Sequence, residues 1–175
     1  METTQIGNHK ISIQNYPPEH LFENQFPIAT DTTPTCQHGV TIETLDNQFS
    51  IILNGFEGAT GIHKNSFVVN QTNIYICVSN TIFCLDLDTL NVIWHTKVDQ
   101  VTCFGVYLVK DHLIVHGEIS ISSISLSGKI NWQQSGEDIF TTIDGKEDFE
   151  IKEELIQVKD FNNKKYKINL QGEFL

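Results

Sequence analysis

The chain reads as all-β: a row of short antiparallel four-stranded sheets behind an irregular N-terminal arm. Three observations predict this. One strand-turn-strand sentence occurs twice, as NIYICVSNTIFCLDLDTLNVIW ending on Trp94 and as DHLIVHGEISISSISLSGKINW ending on Trp132, with a worn third copy, ELIQVKDFNNKKYKINLQGEFL, ending on Leu175. The copies keep a period: Ile74, Ile114 and Ile156 lie 40 and 42 residues apart, and the two tryptophans 38 apart. Four short strands at about this period imply stacked β-units, each burying its faces against its neighbours, rather than one self-contained sheet. Finally, helical periodicity is nearly absent; only Lys146 to Leu155 offers a candidate helix.

Taken in order, residues 1–37 carry all four prolines, Pro17, Pro18, Pro27 and Pro34. Proline forbids a long helix and interrupts ladder hydrogen bonds, so this stretch is expected to be an extended arm or cap. Lys10 to Gln14 alternates well enough for an edge strand within it, and Phe22, Phe26 and Ile28 are apolar anchors to the body. Residues 38–175 form a single β-repeat domain. It opens with a hairpin over 40–53 that turns at Asp46-Asn47, where turn chemistry and β-branched alternation agree. Asn54 to Gly61 is glycine-rich but lacks the spacing and the lysine of a phosphate-binding loop, so it is expected to be a flexible connection. Repeat units follow at about 66–98, 102–134 and 138–175, the last opening with a strand at Asp138 to Ile143. In the first unit Ser79-Asn80 is expected as a two-residue turn, which pairs Tyr75 with Cys84.

CLDLDTLNVIW, Cys84 to Trp94, resembles the repeat of the quinoprotein-type (PQQ-like) β-propellers, A-L-D-x-x-T-G-x-x-x-W, at Leu85, Asp86, Thr89 and Trp94. SLSGKINW, Ser125 to Trp132, is similar to a shortened form, and NLQGEF, Asn169 to Phe174, keeps Leu170 and Gly172. The resemblance spans about three copies over residues 66–175 and implies an architecture only: hairpins whose tryptophan packs between propeller blades. Two departures stand out. Leu90 occupies the place of the turn glycine, so that turn needs another geometry or a different residue in the left-handed region. A complete propeller also needs at least four blades, and about three and a half fit. The expectation is therefore an incomplete or open β-propeller-like stack, or a ring closed by two chains as a homodimer, with the arm capping an exposed edge.

Charge narrows the partners. The net charge is −11, and all eleven basic residues are lysine. A nucleic-acid binder needs a positive field and commonly guanidinium forks, so nucleic acid and anionic membrane surfaces are poor partners, whereas a basic protein is attracted. No run approaches the length of a membrane helix, and the first twenty residues lack the basic start and apolar segment of a secretory signal, so a cytoplasmic protein is expected. The four cysteines, Cys36, Cys77, Cys84 and Cys103, are then expected as buried thiols.

No constellation for catalysis emerges. His112 and His116 have the i, i+4 spacing of a helical zinc pair, yet on a strand that spacing spans about 13 Å. Cys36-x-His38 finds no second pair of ligands, Asp86 and Asp88 read as turn residues, and His95 lacks a nucleophile. The serines between Ser120 and Ser127 follow strand alternation. No cofactor, metal or enzymatic activity is expected. The candidate partner-binding residues are the acidic run Asp144, Glu147, Asp148, Glu150, Glu153 and Glu154. The expected function is non-enzymatic protein binding, with an inhibitor or immunity protein that neutralises a basic toxin or nuclease as its most concrete form. The alternative is a small-ligand-binding or assembly scaffold, with Asn54 to Gly61 rimming a pocket.

Overall fold

The computed structural model describes residues 1–17, 24–27, 32–142 and 149–175. In chain order the strands are β1 (Glu2–Ile6), β2 (His9–Tyr16), β3 (Gln25–Phe26), β4 (Cys36–Glu43), β5 (Gln48–Gly55), β6 (Phe67–Val69), β7 (Asn73–Val78) and β8 (Thr81–Asp86), followed by β9 (Val92–Lys97), β10 (Cys103–Val109), β11 (His112–Gly117), β12 (Ser120–Ser125), β13 (Ile130–Ser135), β14 (Phe149–Lys152), β15 (Leu155–Lys159) and β16 (Lys165–Asn169). They form four sheets: β1-β2-β4-β5-β3, then β6 to β9, β10 to β13, and β14 to β16, the last three each in chain order.

Three apolar clusters hold the sheets in a row. Ile11, Ile13, Val40, Ile42 and Leu53 of the first sheet meet Ile74, Ile76, Phe83 and Leu85 of the second. Tyr75, Cys77, Ile82 and Cys84 face Val106, Leu113, Val115 and Ile124 of the third. Ile114 and Ile121 then face Ile156, Val158 and Ile168 of the fourth. The inner sheets are thus covered on both faces, which is why Ile74 to Val78 is a continuous apolar run instead of an alternating one. Among the described residues no cluster joins the fourth sheet to the first, so the row is open. Its outward faces are polar: Lys165 and Lys167 are exposed on β16, and Lys10 alternates with buried Ile11 and Ile13 on β2. Polar outer faces are what terminate a stacked array in water.

The repeat is explicit in the ladders. Leu85 pairs with Val92 and Cys84 with Trp94, leaving Ile93 as a bulge; Ile124 pairs with Ile130 and Ser123 with Trp132, leaving Asn131. An extra residue on one strand re-aims the side chains that follow it. Each indole then reaches the next sheet: Trp94 Nε1 donates to the Leu126 carbonyl at 3.0 Å, and Trp132 Nε1 to that of Leu170 at 2.9 Å. The receiving turns sit flat on the rings. A Cβ on Gly128 would lie 2.7 Å from the Trp94 ring, and one on Gly172 2.7 Å from the Trp132 ring.

The expected turn at Ser79-Asn80 forms and Tyr75 pairs with Cys84, while the hairpin expected to turn at Asp46-Asn47 turns one residue earlier, at Leu45-Asp46, closed by the Thr44 N–H donating to Asn47 O at 2.8 Å. Leu90 itself enters the left-handed region, at φ 58°, where Gly128 and Gly172 stand at 86° and 88°. Its side chain is buried in the cluster between the first two sheets, and that burial offsets the backbone cost.

Four expectations are corrected. Lys10 to Gln14 lies in β2, flanked by β1 on one side and β4 on the other, so it is an inner strand. Residues 1–37 accordingly supply β1, β2, β3 and the start of β4; the short polar β1 carries little apolar signal, and the ladder with β2 is what orders it. Of the anchors, Phe26 packs edge-on to Phe83 at 6.2 Å, while Phe22 and Ile28 lie outside the described residues. The candidate helix is instead β14, a turn at Glu153-Glu154 with φ 49° and 67°, and the start of β15; Lys146 to Asp148 lie outside the described residues. Alternating Phe149 and Ile151 can be buried on one sheet face, and that burial outweighs helix propensity. Asp138 to Thr142 is not a strand, so the fourth sheet has three strands; Phe140 is buried there as a plug, its N–H donating to the Glu118 carbonyl at 2.7 Å.

Candidate partner interface

Along one side of the row, from the first sheet to the fourth, the turns and sheet-to-sheet connections interlock into a continuous rim. The N–H of Cys103 donates to Ser79 O at 2.8 Å, Glu118 N–H to Thr102 O at 2.9 Å, and Phe161 N–H to Ile139 O at 2.8 Å. Asn54 to Gly61 belongs to this rim. Gly58 N–H donates to Val101 O at 3.0 Å, buried Thr60 accepts the Ser79 N–H at its hydroxyl, and a Cβ on Gly55 would lie 2.5 Å from that of Ser79. The segment expected as a flexible connection is therefore a strap packed against the second sheet, a role that follows from close backbone approach and not from its composition.

Two rim aspartates hold backbone. Asp99 is buried; its Oδ1 accepts the Val101 N–H at 2.8 Å, and its Oδ2 accepts the N–H groups of Ile119 and Ser120 at 3.0 and 2.9 Å. Asp160 accepts N–H groups from Asn162 and Lys164 and the Tyr166 hydroxyl at 2.7 Å. Burial opposes ionisation of Asp160, but these donors outweigh it and hold the carboxyl below the usual range.

The remaining rim acids are Glu57, Glu118, Glu137 and Asp138. Glu57 pairs with Lys97 at 2.7 Å and Glu137 with Lys164, while Asp138 accepts from the Asn162 amide at 2.8 Å. Glu118 has no cation partner among the described residues, and burial, helped by nearby Asp99, pushes its carboxyl up. None of these was singled out from the sequence. They are scattered from residue 57 to residue 138, and only the stacking of successive turns aligns them.

The acidic run fares differently. Asp144, Glu147 and Asp148 lie outside the described residues. Glu150 sits on β14 and pairs with Lys152 at 2.6 Å, whereas Glu154 lies in the following turn and pairs with Lys110 of the third sheet at 2.5 Å. The described three are split between a sheet face and a turn, and two of them carry their own counter-ions.

Other candidates resolve into structure. His38 is buried, with Nδ1 3.1 Å from Cys77 O and Nε2 3.0 Å from Thr60 O. His116 lies against Phe140 O at 2.9 Å and stacks on Phe149 with ring centroids 4.6 Å apart, while His112 contacts its neighbour Asp111. Asp86 accepts from the N–H groups of Asp88 and Thr89 and from the Thr89 hydroxyl at 2.7 Å; that hydroxyl is the largest influence holding its carboxyl low. His95 stacks on Phe83 with centroids 5.6 Å apart. All four cysteines are free and buried. Among the described residues no group of three or more His, Cys, Asp or Glu side chains could hold a metal, and no helix is long and apolar enough to cross a membrane.

Small antiparallel sheets stacked in an open row, joined by indoles on the following hairpin, define a propeller-like protein. The comparisons agree on the fold. BamB from Moraxella catarrhalis superposes with a TM-score of 0.62 at 12% identity, over 99% of this chain and 47% of that one. The computationally designed Ika8 protein gives 0.58 at 7% identity over 99% and 59%, and the designed Ika4 protein 0.52 at 8% over 68% and 77%. The chain thus spans about half the length of BamB and about three fifths of Ika8. No family model and no curated protein sequence matches the chain.

Proposed function

We propose that the chain is a non-enzymatic protein-binding module whose acidic rim docks a basic partner, in the manner of an inhibitor or immunity protein that masks a basic toxin or nuclease. The observation that carries the reading is a net charge of −11 without a single arginine, combined with a rigid rim carrying Glu57, Glu118, Glu137 and Asp138. Such a field accelerates encounter with a cationic surface and repels nucleic acid. Glu118 is the favoured contact, because a half-buried carboxylate with no counter-ion gains most when a lysine or arginine arrives. A cytoplasmic setting is part of the proposal, and there the four thiols stay reduced.

Titration calorimetry against basic proteins encoded beside this chain tests it. Affinity should fall steeply with added salt and by about tenfold for Glu118→Gln combined with Asp138→Asn. Failure of every such protein to bind at low salt refutes the reading.

A further inference from the structure

A cavity of about 260 Å³ opens on the rim between the second and third sheets, with Lys97 and Asp99 on one wall and Ile119, Ser120, Gln133 and Ser135 on the other. Asp99 is only 4% exposed, and it reaches that depth because residue 117 is glycine; a Cβ there would collide with its Oδ2. The groups that bind its carboxylate are neutral dipoles, namely the N–H groups of Val101, Ile119 and Ser120 and the Ser120 hydroxyl at 3.2 Å. Among the described residues no lysine or histidine pairs with Asp99, and Lys97 on the same wall is committed to Glu57 at 2.7 Å. The Asp99 charge also reaches the Glu118 carboxyl beside it, where it acts as a like charge. Opposite, Gln133 commits its amide hydrogens to Val98 O at 2.9 Å and Ser122 Oγ at 3.0 Å, which leaves its carbonyl oxygen to accept. Negative charge and acceptor oxygens thus surround the cavity, and no described cation is left to meet them.

We propose that this cavity takes one arginine side chain of the basic partner, with the guanidinium over Asp99 and the methylene stem against Ile119. The anchor rests on the acidic rim being a docking surface, and it fixes where on that rim the contact is centred. A cation entering here meets the Asp99 charge without breaking the bonds that hold it, and in a half-enclosed site that attraction is screened less than on an open surface. Arginine fits better than lysine for two reasons. The acceptors, the Gln133 carbonyl and the Ser120 and Ser135 hydroxyls, are spread along a wall, and a planar fork of five donors can address them together where an ammonium concentrates its donors at one point. The guanidinium is also the more weakly hydrated cation, so it loses less on leaving water. A buried arginine in a central pocket ringed by weaker contacts is the common form of an interface hot spot, and the outer acids Glu57, Glu137 and Asp138 would then supply encounter more than hold.

The test titrates the isotope-labelled full chain, followed by NMR, with a synthetic glycine-serine peptide holding one arginine and with the same peptide holding citrulline, which keeps the shape and loses the charge. Saturable shifts at the Ile119 and Ser120 amides and at the Gln133 side-chain amide are the expected result, with the citrulline peptide at least tenfold weaker. Ser135→Tyr places a ring in the cavity from an exposed position and should weaken the arginine peptide at least tenfold. The anchor is overturned by absence of saturable binding, by equal affinity for the two peptides, by shifts confined to residues outside the cavity, or by a folded Ser135→Tyr chain that binds as well as the native one. Any of these removes the anchor and leaves the rim reading standing, because that reading falls on the calorimetry with basic proteins and not on these peptides. Should Ser135→Tyr fail to fold, the citrulline comparison decides the matter on the native chain.

Discussion

Replacing Gly128 by alanine tests the contact that joins one sheet to the next. At φ 86° an L-residue costs about 1–2 kcal/mol relative to glycine. The new methyl would also lie 2.7 Å from Cδ2 and 2.8 Å from Cε3 of Trp94, well inside van der Waals contact, and forcing such a group into a packed site costs about 1–3 kcal/mol. The indole is held by its hydrogen bond to Leu126 O and cannot retreat without losing it. The two costs together predict a loss of about 2–5 kcal/mol, a fall in Tm on the order of 10 °C for a chain of this size. Gly7→Ala separates the contributions: Gly7 also has a positive φ, 55°, but a Cβ there meets nothing within 4 Å, so only the backbone cost applies. Urea unfolding followed by tryptophan emission reads both variants. Equal destabilisation of Gly7→Ala and Gly128→Ala would refute the claim that the turn is seated on the indole, and Gly172→Ala, against Trp132, repeats the test one sheet later.

Three further outcomes are expected. Asp99→Asn turns an amide N–H₂ toward the N–H groups of Ile119 and Ser120 and should cost about 2–3 kcal/mol in the same assay, charged acceptors being the stronger ones. Burial lowers the pKa of His38 and outweighs its two carbonyl neighbours, so the buried ring is neutral. Its contribution is complete above the unfolded value near about 6.5 and is lost as pH falls through the folded value. The urea midpoint should therefore drop on acidification from there, and His38→Gln should flatten that drop; a midpoint that rises instead would mean an imidazolium bridging Cys77 O and Thr60 O. Finally, the thiols should ignore a disulfide reagent at pH 8 in the native chain and react fully in urea, since all four are buried and burial pushes Cys84 up to about 12.

Within residues 66–135 the strands were legible because each repeat encodes them locally. Alternation, two-residue turns such as Ser79-Asn80 and the tryptophan that closes each hairpin act within a few residues of one another. The fourth sheet was read less well. A charge-rich segment around Glu150 has weak propensity for either state, and the burial of Phe149 and Ile151 against the third sheet decides it. The first sheet shows the same limit, since β1 and β3 are too short and too polar to declare themselves and exist by pairing with β2 and β5.

The sequence by itself determined the all-β class, the repeat and its period, the sign of the charge, and which hairpins carry an indole, because all of these reside in composition and near-neighbour pattern. Tertiary structure alone decided that no apolar cluster among the described residues joins the fourth sheet to the first, that Leu90 takes a glycine's conformation, and that Asp99 and Asp160 hold the rim together. Each of these depends on groups brought together from different sheets. Whether a backbone group is satisfied or a side chain is covered is a property of what lies beside it in space, and that becomes defined only when the sheets stack.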